Sequence, residues 1–85
     1  MPTPHDDLRN GEGRVLRDRQ IAISRDDLGA LHAVGSVCSH VGCEVEWNRE
    51  EKTWDCPCHG SRFSPTGEVL HGPAMRPLPP SDIPG

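Results

Sequence analysis

Eighty-five residues bound this chain to one small domain, and with 33% of them hydrophobic, 9 Gly, 9 Pro, no Tyr and one Phe the core must be thin. Domains of that size commonly need a metal or a disulfide to hold them together. A net charge of −4 without any run of Lys or Arg argues against a nucleic-acid binder or an anchor on anionic lipid, since both need a basic face.

Residues 1–12 are polar and rich in Pro, Asp and Gly, and read as a flexible N-terminal arm. They lack the basic start and apolar middle of a signal peptide, and no later run approaches the roughly 20 apolar residues of a membrane span. A cytoplasmic protein without membrane insertion is therefore expected. Short runs with β character follow at 14–17 and 20–24, the second alternating so that Ile21 and Ile23 share a face. Residues 26–29 form a turn and 30–34 pair back as the next strand, which makes a β-meander; no segment has a helical pattern. A hairpin is expected from 44–47 and 52–55 around the charged turn 48–51, with Trp47 and Trp54 as packing residues stacked across the pair. From Pro77 onward the prolines exclude a regular strand, so the tail should be extended. The fold class is all-β.

The chemistry lies in two short segments, Cys38-Ser39-His40-Val41-Gly42-Cys43 and Cys56-Pro57-Cys58-His59-Gly60-Ser61. Each carries a local Cys/His pair and one further cysteine. Two disulfides would use the cysteines but leave His40 and His59 without a reason to be there. A structural zinc module could use the same Cys/His set, although C-x-H is tighter than the usual zinc spacing. A [2Fe–2S] cluster held by two cysteines on one iron and two histidines on the other accounts for a Cys and a His in each segment.

The two segments resemble the paired Rieske boxes C-T-H-x-G-C and C-P-C-H-G-S, with Ser39 where Thr is usual. The resemblance implies a Rieske-type antiparallel β-sandwich over residues 13–78, with a small cluster-binding lobe at about 36–75 and a proline-rich tail at 79–85. It implies that Cys38 and Cys56 ligate one iron and His40 and His59 the other, and that Cys43 and Cys58 form a disulfide, as in the iron–sulfur subunits of cytochrome bc complexes. Ser61 would donate to a bridging sulfide. Gly42 and Gly60 would let the backbone approach the cluster. Pro73, in Gly72-Pro73-Ala74, would belong to a loop covering the cluster, although read alone it is an ordinary turn residue.

Replacing two thiolates by neutral imidazoles removes negative charge from the ligand shell and raises the potential above that of a four-cysteine ferredoxin. Phe63 stands where high-potential relatives carry a Tyr donor, so an intermediate potential is expected. The outer nitrogens of the two histidines should make the potential fall at alkaline pH. His5, His32 and His71 are expected to be non-ligands, with His71 beside a docking surface.

Such a domain would transfer single electrons and have no substrate site of its own, acting as a soluble ferredoxin-like carrier or as a module of a larger oxidoreductase. The chain stops soon after the Gly72-Pro73-Ala74 segment, which points to a truncated base sheet. That ending, with the run Trp54-Asp55-Cys56-Pro57-Cys58-His59-Gly60-Ser61-Arg62-Phe63, resembles the C-terminal Rieske domain of FAD-dependent oxidoreductases. A redox protein or FAD-containing flavoprotein domain is the implied partner, and the domain itself should be monomeric.

Overall fold

Seven short strands are connected by tight turns and hairpin loops in a computed structural model that describes residues 5, 7–38, 42–58, 60–74 and 76–83. The first sheet is the meander β1 (Gly13–Leu16), β2 (Ile21–Arg25) and β3 (Leu31–Gly35), antiparallel throughout with Ala22 opposite Val34. The second sheet is β4 (Glu46–Asn48), β5 (Thr53–Asp55), β6 (Arg62–Phe63) and β7 (Val69–His71), in that order and also antiparallel. Among the described residues there is no helix, so the all-β antiparallel expectation holds.

The face of β2 that Ile21 and Ile23 share is not the one that joins the main apolar cluster. Ala22, Ile23 and Ser24 are all buried, but it is Ala22, with Val34, that joins the main apolar cluster of Cys38, Val45, Trp54, Cys56, Phe63, Ala74 and Leu78. Central strands covered on both faces lose the simple alternation that marks a half-exposed one.

Trp47 and Trp54 sit opposite each other in the β4–β5 hairpin, with ring centroids 4.8 Å apart, as the packing reading required. Trp47 also joins the two sheets. Its indole lies where a side chain on Gly13 would have to go, and its Nε1–H donates to the Gly11 carbonyl at 3.1 Å.

The described residues toward each end, 7–12 and 76–83, are attached to this frame more firmly than their composition suggests. In the stretch expected to be a flexible arm, Leu8 is only 5% exposed. Arg25 holds the arm by donating from Nε to the Leu8 carbonyl (2.8 Å), while a terminal nitrogen anchors it to the β2–β3 turn through the Gly29 carbonyl (2.8 Å).

The tail, expected merely to be extended, runs antiparallel along β3. The Gly35 amide donates to the Pro79 carbonyl (2.7 Å), the Ser81 amide to the Ala33 carbonyl (3.0 Å), and Val34 faces Pro80. Leu78 is buried within the core. Prolines are tolerated here because an edge segment can accept hydrogen bonds without donating at every position. The first sheet keeps three strands, and the tail adds an isolated bridge along its β3 edge.

Candidate metal centre

The two Cys/His segments are hairpin loops of the same design. The isolated pairing of Val37 with Glu44 closes the first, and the Asp55–Arg62 rung closes the second. In the first loop the Cys38 amide donates to the Cys43 carbonyl (2.6 Å) and the Gly42 amide to the Cys38 carbonyl (3.0 Å). In the second, the Cys56 amide donates to the Ser61 carbonyl (2.8 Å) and the Gly60 amide to the Cys56 carbonyl (2.9 Å). Cys38 thus corresponds to Cys56, Gly42 to Gly60 and Cys43 to Ser61.

The glycines are required by the turn itself, with φ of +74° at Gly42 and +77° at Gly60, a region that side chains disfavour. Among the described residues, a Cβ at either position would meet no atom within 4 Å.

Two of the four cysteines are bonded to each other. Cys43 and Cys58 form a disulfide with Cα atoms 6.5 Å apart, tying one loop to the other as the resemblance implied. The remaining two, Cys38 and Cys56, are free thiols at 2% and 1% exposure, at equivalent positions of the two loops and in the same buried cluster. His40 and His59, the expected imidazole ligands, lie outside the described residues. Among the described residues no three His, Cys, Asp or Glu gather into a set that could hold a metal alone.

Ser61 is fully buried and its Oγ accepts the Ala74 amide at 3.0 Å. That bond joins the segment after Pro73 to the second loop and leaves the hydroxyl proton uncommitted. Pro73 is itself exposed, follows a cis peptide from Gly72, and precedes the buried Ala74. Phe63 is fully buried opposite Trp54. Two buried free thiols plus one buried hydroxyl with a proton to give fit an iron–sulfide group, whose irons take thiolates and whose sulfides accept hydrogen bonds.

Polar side chains brace both loops from outside. Before the first, the Ser36 hydroxyl donates to Glu44 at 3.2 Å, and Arg17 lies 3.3 Å from the same carboxylate. Before the second, Asp55 accepts from Thr53 Oγ1 (2.6 Å) and Asn48 Nδ2 (2.9 Å) and faces Arg62 at 3.7 Å. These residues escaped notice in the sequence, although Thr53 and Asp55 fall on one strand face by simple alternation.

Of the other histidines, His32 is engaged by Asp26, with Nε2 to carboxylate 2.9 Å. His71 lines a groove of about 580 Å³ with Gly60, Arg62, Thr53, Glu51 and the 57%-exposed Leu70.

Comparison with known proteins agrees with this geometry. The family model for the Rieske [2Fe-2S] domain matches residues 3–82. YhfW of Bacillus subtilis (strain 168), whose own assignment as a Rieske 2Fe-2S iron-sulfur protein is provisional, is 52% identical over 80 residues, which are 92% of this chain and 16% of YhfW. The cytochrome b6-f complex iron-sulfur subunit of Chlorobaculum tepidum is 35% identical over 78 residues, 88% of this chain and 42% of that subunit. The chain thus spans less than half the length of either relative. Among solved structures, the plasma membrane Rieske protein PetC3 of the cyanobacterium Synechocystis PCC 6803 superposes with a TM-score of 0.60 at 32% identity, covering 81% of this chain and 86% of that one. Two hairpin loops of one design, bridged by a disulfide and each presenting a buried free thiol, are thus matched by a family model spanning nearly the whole chain, which belongs to the Rieske [2Fe-2S] domain family and carries a Rieske-type [2Fe–2S] cluster for electron transfer.

Proposed function

We propose that Cys38 and Cys56 hold one iron of the cluster and His40 and His59 the other, and that the domain relays single electrons to and from a redox partner. The observation that carries this reading is the division of labour among the cysteines. The disulfide uses one cysteine of each loop, and each loop keeps one buried thiol at the equivalent position. When bound, the cluster supplies one-electron redox chemistry at a potential raised by its imidazole ligands.

The protein's own residues do the rest. The loops fix the thiols, the disulfide keeps the loops together, and Ser61 offers a buried donor that favours the more negative reduced state. Iron, labile sulfide and zinc analysis tests the assignment. Parent protein should hold iron and sulfide in equal amounts, two of each per chain, while Cys38→Ser and Cys56→Ser should lose them. Zinc without sulfide in the parent would overturn it.

For the setting we propose a cytoplasmic oxidoreductase in which a flavin domain exchanges electrons with this cluster. Support comes from the resemblance of the second box to flavoprotein-linked Rieske domains, and from a relative at 52% identity in which the matched region is only 16% of the protein. Rapid-mixing kinetics check this. A reduced FAD-containing protein from the same genome should reduce the cluster faster than a cytochrome c can oxidise it; the reverse order would favour a cytochrome-complex role like that of the Chlorobaculum subunit.

A further inference from the structure

The rung that closes the second loop carries opposite charges. Asp55 is the last residue of β5 and directly precedes Cys56. Arg62 is the first residue of β6 and directly follows Ser61. The two are register partners, and the next hydrogen bond along, from the Cys56 amide to the Ser61 carbonyl, already belongs to the loop.

Asp55 does not hang in solvent. Its carboxylate is 27% exposed and takes one hydrogen bond per oxygen, from Thr53 Oγ1 at 2.6 Å and from Asn48 Nδ2 at 2.9 Å. Arg62, 46% exposed, stands 3.7 Å away, beyond hydrogen-bonding distance. Glu46 is the other register partner of Asp55, and Arg49 and Glu50 border the same shallow groove. Asp55 is therefore the most firmly held of the charges at this end of the sheet.

We propose that Asp55 is a potential-setting residue: its fixed carboxylate, one residue from Cys56, lowers the reduction potential of the cluster, and Arg62 acts as its counterweight. The inference rests on the cluster assignment above and adds residues outside the proposed ligand set. Its physical basis is sign. Reduction adds negative charge to the cluster, so a nearby anion opposes it and a nearby cation favours it.

One residue of chain spans only about 3.8 Å between Cα atoms, so the carboxylate falls within roughly one Debye length, about 8 Å at physiological salt, of the loop it precedes. A unit charge about 10 Å away in a partly screened setting changes the reduced-to-oxidised ratio by about three- to ten-fold. Asp55, being less exposed and held at both oxygens, should have the larger effect.

The test is a redox titration of the iron-loaded parent, Asp55→Asn, Arg62→Gln and Arg62→Glu, and the Asp55→Asn/Arg62→Gln double variant. Iron and sulfide content are measured first. Asp55→Asn keeps an acceptor oxygen for Thr53 while removing the charge.

The expected result is a rise in midpoint for Asp55→Asn and a fall for Arg62→Gln, larger for Arg62→Glu. The double variant should lie near the parent, and all shifts should shrink when ionic strength is raised. With the cluster fully present, shifts of one common sign, or none, would overturn the proposal, because a merely structural role has no reason to reverse sign with charge. Arg62 is exposed, so if Asp55→Asn does not fold the test rests on its two variants: a fall for Arg62→Gln and a larger fall for Arg62→Glu support the charge effect, and a rise or no shift overturns it. A parent without iron and sulfide would instead sink the cluster assignment, so the two failures are distinct.

Discussion

Ser61 is wholly buried and its oxygen already accepts the Ala74 amide, which leaves one hydroxyl proton to place. Ser61→Ala should lower the midpoint potential in a redox titration by removing that donor. It should also cost about 1–3 kcal/mol in a denaturation curve, because the Ala74 amide loses its buried acceptor. An unchanged potential would remove Ser61 from the cluster's surroundings. Phe63 offers the complementary experiment. It is fully buried in the cluster that contains Cys38 and Cys56, and a hydroxyl added there has to find an acceptor. Phe63→Tyr should raise the potential if that acceptor is a ligand thiolate. A loss of stability with no rise in potential would show that the ring points elsewhere. At this scale the sequence was most informative, since Cys38, Cys43, Cys56, Cys58 and Ser61 lie in two six-residue loops, each closed by its own backbone hydrogen bonds. The Asp55, Thr53, Asn48 and Arg62 cluster was not legible, because it depends on the register between three strands.

The strands are short, so the turns and staples between them decide how rigid the loops are. The disulfide closes a loop with a sequence separation of 15, for which chain entropy suggests about 3 kcal/mol of stabilisation. The Cys43→Ser/Cys58→Ser protein should show a lower urea midpoint by that order and lose iron faster on dilution. Unchanged retention of iron would mean the strands alone hold the loops. The β2–β3 turn depends on Asp26, which accepts the Leu28 and Ala30 amides (2.9 Å each) and pairs with His32. The His32 bond first, then the Ala30 amide, hold its carboxyl below the ordinary value of 3.8. A folded-state pKa depressed in this way stabilises fully above the unfolded value, and the stabilisation is lost as pH falls through the folded one. Asp26→Asn should therefore lower the urea midpoint at pH 7, and the gap to the parent should narrow well below pH 3.8; an equal gap at both would rule out the charge. The meander, the turn at 26–29 and the Trp47–Trp54 hairpin were legible from alternation and turn residues. The inward face of β2 was not, because a strand buried on both sides carries apolar residues on both.

Across the whole molecule, two distant segments complete what the strands begin. Residues 7–12 are held by Arg25 and Trp47, and the tail bridges to the edge of β3 and supplies a core residue, Leu78. Composition hid both. Prolines and aspartates mark segments unsuited to regular strands, yet a single buried leucine and a few carbonyl acceptors are enough to dock each one. Leu78→Ala should cost about 2–5 kcal/mol and lower Tm accordingly, whereas a tail that merely trailed would tolerate it. The frame matters because Leu78 packs in the same core as Cys38 and Cys56, so the thiols are only as fixed as the sheets behind them. The central claim, a two-iron cluster shared between thiolates and imidazoles, is tested most directly by pulsed EPR of the reduced protein grown with ¹⁵N-histidine. Strong hyperfine coupling from two histidine nitrogens is the predicted result. A reduced cluster without coupled histidine nitrogen, or a protein with no paramagnetic reduced state at all, would contradict it.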